Sequence, residues 1–239
     1  MSRPADRRTK IELLRAAEAV FVERGFEAAK VEHITARAGV SKGAFYLHFQ
    51  SKEDCWTQII EAFLAKLAAC VEPPLEASVD SVQAIRDQLA RWHAHDVEIL
   101  EFCWQNRGLM RTVLAGGGGA SHAYLIDELA ERIAKQAAAW VRHAVDVGLY
   151  RPGLDPVIVA SMMSGAYDRL VRDLIKEPRR PDLEAWSRQA VDLFARGLLS
   201  VEARAVLDRE VTMAATGTDG GEARAEAAAP SRPRRTRGR

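Results

Sequence analysis

The sequence predicts an all-α fold, with an N-terminal three-helix head of helix-turn-helix type and a larger C-terminal helical bundle, about nine helices in total. Three observations carry this reading. Apolar residues recur at steps of three and four through nearly every segment, the period of an amphipathic helix, and no stretch alternates convincingly as a strand. Strong breakers separate the periodic segments: Pro73-Pro74, the run Gly116 to Gly119, and Pro178 with Pro181. Residues 25–55 hold two short helical patterns joined by a turn at a glycine, which is the helix-turn-helix arrangement.

The elements follow in order. Thr9 with Glu12 reads as a capping box for a first helix to Arg24, with Ile11, Leu14, Ala17 and Phe21 turned inward. Val31, Ile34 and Ala38 define a short second helix that ends at Gly39, where a left-handed residue is most useful. Ser41 is an N-cap for the third helix, and Phe45 and Phe49 are its core anchors. Ser51 with Asp54 opens a fourth helix carrying Trp56, Ile59, Ile60, Phe63, Leu64, Leu67 and Val71. A long helix from about Val79 carries Val82, Ile85, Leu89, Trp92, Ile99 and Cys103, and Asn106 to Leu114 forms a short one. Ser121 starts a helix of about 28 residues ending at Gly148. Asp155-Pro156 is an N-cap with proline at the first helical position, and that helix runs to about Lys176. Asp182 starts the last one, with Leu183, Trp186, Ala190, Leu193, Phe194 and Leu198 on its apolar side. Three units result: a head over residues 1–52, a helical body over 53–210, and a basic tail over 211–239. The tail is rich in Ala, Gly, Thr and Arg, and such a composition stays disordered.

Composition excludes several classes. Apolar residues make up 48% and charged residues 28% of 239, as in a soluble globular chain, and no apolar run approaches the ~20 residues of a membrane span. The N-terminus, MSRPADRRTK, has no apolar core of a secretory signal. Cys55, Cys70 and Cys103 are far apart in sequence, which points to a reducing cytoplasm rather than to a disulfide framework or a zinc site. His93 and His95 are two apart and do not share a helical face, so no metal is expected, and no cofactor motif is present. Nucleophile elbow, phosphate loop, HExxH and paired-carboxylate signatures are missing, which argues against an enzyme. The net charge is only +1, but residues 1–52 carry +4, residues 53–199 carry −5 and residues 200–239 carry +2. A basic head on an acidic body suits a protein that presents one end to phosphates.

The helix-turn-helix supplies the residues for that contact. Gly43 and Ala44 let the third helix come close to base edges, and the Ala44 methyl suits a thymine methyl. Lys42 reaches a phosphate or a guanine. Tyr46, His48, Lys52 and the backbone amides behind Ser51 are donors for phosphate oxygens.

On Gly25-Phe26, Val31, Ile34, Ala38-Gly39-Val40-Ser41, Gly43-Ala44-Phe45-Tyr46, His48-Phe49 and Ser51-Lys52-Glu53, the segment resembles the DNA-binding domain of the TetR family of transcriptional regulators. The resemblance covers roughly the first quarter of the chain in detail. It departs from the family pattern at Ala29-Lys30, where a Thr or Ser is common, and at Thr35, where Ala is usual. Lys30 can take over a phosphate contact and Thr35 can face DNA, so both departures bear on which operator is read.

The resemblance implies a homodimer formed by the last two long helices, which places two heads on successive major grooves of a palindromic operator in double-stranded DNA. The residues agree: the helix after Asp155 has a bulky face (Val159, Met162, Met163, Ala166, Leu170, Leu174) and a small one (Ala160, Ser161, Ser164, Gly165). The resemblance also implies a small-molecule effector in the body. Trp92, Phe102, Trp104, Met110, Tyr124, Trp140, Met163 and Tyr167 are candidates for an apolar cavity. Asp96 interrupts the apolar stripe of its helix, and His143 flanks that of the long helix. A buried Asp96 needs a partner: a ligand amine, His143, Arg169, or an ordinary internal ion pair. The expected function is therefore a DNA-binding repressor released by a largely apolar ligand. The alternative is a DNA-binding or architectural protein without an inducer, controlled by a protein partner. An open cavity in the body favours the first and a solid core the second.

Overall fold

The computed structural model describes residues 4–71, 82–116 and 120–205. The predicted breaker at Pro73-Pro74, the helix start at Val79, glycines 117–119 and the basic tail lie outside the described residues. Among the described residues nine helices span α1 Pro4–Arg24, α2 Val31–Ala38, α3 Lys42–Tyr46, α4 Lys52–Val71, α5 Val82–Gln105, α6 Arg107–Leu114, α7 Ala120–Asp146, α8 Pro156–Leu174 and α9 Leu183–Leu198, with a further helical turn over 201–205. Among the described residues no strand forms; Tyr150 and Leu199 share an isolated antiparallel bridge. No described helix is long and apolar enough to cross a membrane.

The caps follow the chemistry of their residues. The Asp155 carboxylate accepts from the amides of Val157 and Ile158 at 2.8 and 3.1 Å, and Asp182 accepts from Ala185 at 3.0 Å. At α4, Ser51 Oγ accepts from the Asp54 amide at 3.2 Å while Asp54 reaches back to the Gln50 amide at 2.8 Å. Thr9 departs from expectation. Helix α1 is already formed at Pro4, so Thr9 lies inside it, and Glu12 pairs with Arg8 at 2.9 Å instead of capping. Asn106 does precede α6, but its side chain caps nothing there; Nδ2 donates to the Phe102 carbonyl at 2.8 Å.

In the head, α1 packs on α2 and α4, and α2 on α3. Its centre is an aromatic triangle of Phe21, Phe26 and Trp56, with centroids 5.0 to 5.6 Å apart, and Phe45 and Phe49 are both buried at 5.1 Å from each other. This core runs without a break through α4 into Leu100, Cys103, Trp104 and Leu109 of the body. A second cluster at the far end joins Trp140, Val141, Leu149, Tyr150, Val159 and Leu198. Between them α7 and α8 pack together, and α5 is held between α8 and α9.

Candidate nucleic-acid interface and ligand cavity

The turn between α2 and α3 is fixed by Gly39, whose φ of 69° is left-handed, a conformation cheap for glycine alone. The amides of Gly39 and Val40 close the end of α2 on Ala36 and Thr35 carbonyls at 3.4 and 3.1 Å. Ser41 Oγ then accepts from the Ala44 amide at 3.2 Å and starts α3. At α2 the N-cap is Lys30, whose side chain cannot accept; His33 Nδ1 compensates in part by accepting from the Lys30 amide at 3.3 Å.

Buried Phe45 and Phe49 fix the roll of α3, so that Lys42, Gly43 and Tyr46 face outward and Ala44 is half-buried. Tyr46 is 51% exposed with its ring edge-on to Phe45 at 5.4 Å. A Cβ at Gly43 would meet only Ser41 Oγ, at 3.7 Å, so the surface over it is open. Lys42 Nζ pairs with Glu32 Oε1 at 2.6 Å. That hydrogen bond holds the Glu32 carboxyl below the usual carboxylate range and the Lys42 ammonium above its usual value. Lys30 is exposed beside this face.

Three expected contact residues sit differently. Thr35 is buried, and its hydroxyl donates to the Glu32 carbonyl at 3.3 Å, because its position on α2 faces the head core rather than outward. The His48 side chain is only 9% exposed, with Nε2 3.5 Å from the Asp6 carboxylate of α1. Lys52 spends its ammonium internally: Nζ donates to the carbonyls of Phe26 and Ala29 at 2.9 and 3.2 Å and lies 4.3 Å from the Phe26 ring centroid. It ties α4 to the loop before α2. Leu47, which sequence reasoning passed over, is 83% exposed at the end of α3. The signal was its place two residues from both Phe45 and Phe49, which turns it away from the core.

The body encloses a cavity of about 390 Å³ with walls from α4 through α9. Five of the nine expected ligand residues line it: Trp92, Asp96, Trp140, Met163 and Tyr167; Met110 does too. The other four do not. Phe102 stacks behind the wall on Phe63 at 5.7 Å. Trp104 is buried under the Arg107 guanidinium, 4.2 Å from its ring. Tyr124 is 58% exposed on the outside of α7, and His143, in the last turn of α7, is half-buried away from the lining. Sequence reading missed His95, Tyr150 and Phe194, which do line it.

Asp96 is buried and takes its hydrogen bond from the Tyr167 hydroxyl rather than from His143 or Arg169; Arg169 pairs with Asp173 at 2.9 Å. Desolvation pushes the Asp96 carboxyl up to about 6 against the Tyr167 hydrogen bond, which favours the charged form. Burial and the adjacent carboxylate together raise the Tyr167 phenol. Burial pushes the Cys103 thiol, also in the wall, up to about 12, so it is not an activated nucleophile.

One constellation outside the cavity looks catalytic. His93 Nδ1 lies 2.8 Å from Ser187 Oγ and its Nε2 2.8 Å from Glu184 Oε2. Ser187 is fully buried, and its hydroxyl also reaches the His93 carbonyl at 3.3 Å. No substrate can reach that oxygen, so the trio is a polar clasp between α5 and α9.

Head and body meet closely at α1 and α6. A Cβ built on Gly108 would fall 2.6 Å from Val22 Cγ1, a clash that glycine avoids. Helix α6 also places Met110, Val113 and Leu114 in the cavity wall.

The profile of the family described as "Bacterial regulatory proteins, tetR family" matches residues 13–59, the stretch from α1 into α4. Residues 13–59 are thus similar to the DNA-binding domain of that family. The HTH-type transcriptional repressor DhaR of Mycobacterium sp. (strain GP1) is 42% identical over 72 residues, which are 30% of this chain and 36% of that protein. The first two curated relatives are thus matched over 36% and 37% of their own length. Two solved structures share the fold over most of the chain. SmeT, the repressor of the Stenotrophomonas maltophilia multidrug efflux pump SmeDEF, has a TM-score of 0.63 at 22% identity and covers 81% of this chain and 92% of its own. SmeT has also been solved as a triclosan complex. FadR of Bacillus subtilis, solved with stearoyl-CoA, has a TM-score of 0.61 at 20% identity and covers 78% of this chain and 98% of its own.

Proposed function

We propose that this protein is a cytoplasmic, homodimeric transcriptional regulator of the TetR family that binds a palindromic operator and is released from it by a small, largely apolar ligand. The observation that carries the DNA-binding part is the roll of α3: buried Phe45 and Phe49 leave Lys42, Gly43, Tyr46 and Leu47 exposed on one rod. Lys30, Ser41 and Ala44 flank that rod. With phosphate contacts from Lys30, Lys42 and Tyr46, and base contacts from Gly43 and Ala44, the division of labour is that of a recognition helix. The fold supports a division into a head, residues 1–52, and a ligand-binding and dimerisation body, residues 53–210.

An exposed apolar stripe supports dimerisation. On α8, Val157, Ile158 and Met162 are 61%, 60% and 68% exposed, and Ser161 and Gly165 continue the stripe. On α9, Leu193 is 72% exposed and Gly197 has open space over it. Met162 thus belongs to the outer face, and Ala160, expected there, is buried. A self-complementary patch of this kind closes a two-fold dimer. Two heads one duplex turn apart, about 34–36 Å, then read an inverted repeat.

The cavity supports the ligand-responsive reading over a regulator with a solid body. A volume of about 390 Å³ with mostly apolar walls accommodates a drug-sized molecule. Helix α6 supports a route to the head, since it lines the cavity and touches Val22 of α1 through Gly108. A ligand that prefers one position of α6 shifts operator affinity by that preference, about tenfold per 1.4 kcal/mol.

The test is selection of genomic fragments bound by the purified protein, followed by sedimentation of the complex. The expected result is an inverted repeat bound by two chains. Binding no tighter to the selected repeat than to scrambled duplex at physiological salt overturns the proposal.

A further inference from the structure

We propose that the body cavity takes a lipophilic cation, an amine or onium group on an apolar body, and that Asp96 is its counter-ion. The proposal rests on the reading of this cavity as a ligand site and names the ligand class.

The fixed charges of the walls are acidic. Asp96 and Asp168 line the cavity, and among the described lining residues the basic side chain is His95, with no Lys or Arg. Asp168 is neutralised from outside by Arg172 at 2.7 Å, with its own side chain 58% exposed. Asp96 is different. It is 9% exposed, and the partner it has among the described residues is the Tyr167 hydroxyl, a donor that brings no positive charge. His95 stands next to it in the wall and His93 lies three residues before it; both imidazoles favour the charged carboxylate, but by less than the Tyr167 hydrogen bond, and Nε2 of His95 is buried without a hydrogen-bond partner rather than paired with Asp96. A carboxylate in an apolar enclosure without a cation is costly, and removing its cost is what a positively charged guest does best.

The remaining walls suit the same guest. Trp92, Trp140 and Tyr150 form an edge-to-face cluster with centroids 4.8, 5.2 and 6.0 Å apart, and Tyr167 stacks on Phe194 at 6.0 Å. All five line the cavity. Aromatic faces around a carboxylate bind ammonium groups through the ring quadrupole. Trp140 Nε1 is a second polar feature: it is buried with no acceptor, and an indole N–H can only donate. A guest with an acceptor atom on its apolar body satisfies it. A fatty carboxylate fits poorly, since it would meet Asp96 with no wall cation to neutralise either charge.

Three probes on the full-length protein test this, read by calorimetry and by quenching of tryptophan fluorescence. They are tetraphenylphosphonium, its size-matched anion tetraphenylborate, and the neutral lipophile Nile red. The expected result is that the cation binds wild type at least tenfold tighter than the anion, and that Asp96→Asn weakens the cation at least tenfold while leaving Nile red within twofold. Equal affinity of cation and anion for the wild type, with Nile red bound, overturns the choice of a cation and leaves the ligand site standing. Failure of all three probes to bind overturns the ligand site itself. The wild-type cation-to-anion ratio reads the proposal without any variant, so a poorly folded Asp96→Asn would not leave it undecided.

Discussion

Asp96→Asn is expected to stabilise the ligand-free protein at neutral pH, and the size of the effect follows from burial. The carboxyl moves from its ordinary 3.8 to about 6 because desolvation outweighs the Tyr167 hydrogen bond. Roughly two units at about 1.4 kcal/mol each is about 3 kcal/mol that the charged form costs the folded state. The folded pKa lies above the unfolded one, so between about pH 6 and pH 4 the native chain holds more protons than the unfolded chain. Wild-type stability from this group therefore rises as pH falls through that window and is lost again as pH rises past 6. Asparagine keeps an oxygen to accept from Tyr167 and carries no charge, so its stability lacks this dependence.

Urea unfolding of both proteins at one fixed protomer concentration, from pH 7.5 down to pH 4, reads the difference directly. Groups that do not interact with Asp96 contribute equally to both proteins and cancel in the subtraction. The asparagine variant should lead by about 2–3 kcal/mol above pH 7, with the lead shrinking through pH 6 to near nothing at pH 4. A difference that stays flat across this range, or that favours wild type at pH 7.5, refutes the argument. In the first case Asp96 is not desolvated; in the second it already has a cation.

The other expectations concern the head, its joint with the body, and the dimer. Lys42→Ala and Tyr46→Phe should weaken binding on all duplexes, and Lys42→Ala should lower the salt slope by about one unit. Changes at Gly43 or Ala44 should instead alter which operator wins in a selection from random duplex. Lys52→Ala should lower the urea midpoint, by about 1–2 kcal/mol, because it frees the Phe26 and Ala29 carbonyls. Gly108→Ala drives a methyl against Val22 and should cost about 1–3 kcal/mol in the same assay, with much of it recovered by adding Val22→Ala. Met162→Glu combined with Leu193→Glu places charge on the exposed stripe and should give single chains in analytical ultracentrifugation, with folded circular dichroism.

The helices were readable because their information is local. Apolar spacing, the caps Ser41, Ser51, Asp155 and Asp182, and the glycine at position 39 are each settled within one or two turns of chain. Which way a polar residue points was less readable. Thr35, His48 and Lys52 stand in the helix-turn-helix segment, yet Thr35 lies on the core side of α2, and His48 and Lys52 are turned inward by partners elsewhere in the chain: Asp6 on α1, and the loop carbonyls of Phe26 and Ala29. Lys52 lies 26 and 23 residues from its two acceptors, and no sequence period spans that separation.

The cavity shows the same limit from the other side. Trp92, Asp96, Trp140, Met163 and Tyr167 line it, as their places on the inner stripes of α5, α7 and α8 suggest. Phe102, Trp104, Tyr124 and His143 were misplaced because residues at helical spacing fill a core, a joint or an outer face equally well. Asp96 could be marked as anomalous from its stripe alone. Its partner, Tyr167, is 71 residues away on another helix, and only the packing of α5 against α8 brings the two together. That pairing decides the chemistry: had an arginine stood in the place of Tyr167, the carboxylate would be a closed internal ion pair. With a phenol there, the carboxylate has no cation as its hydrogen-bond partner, and the proposed preference for a cationic guest rests on that contact between two distant helices.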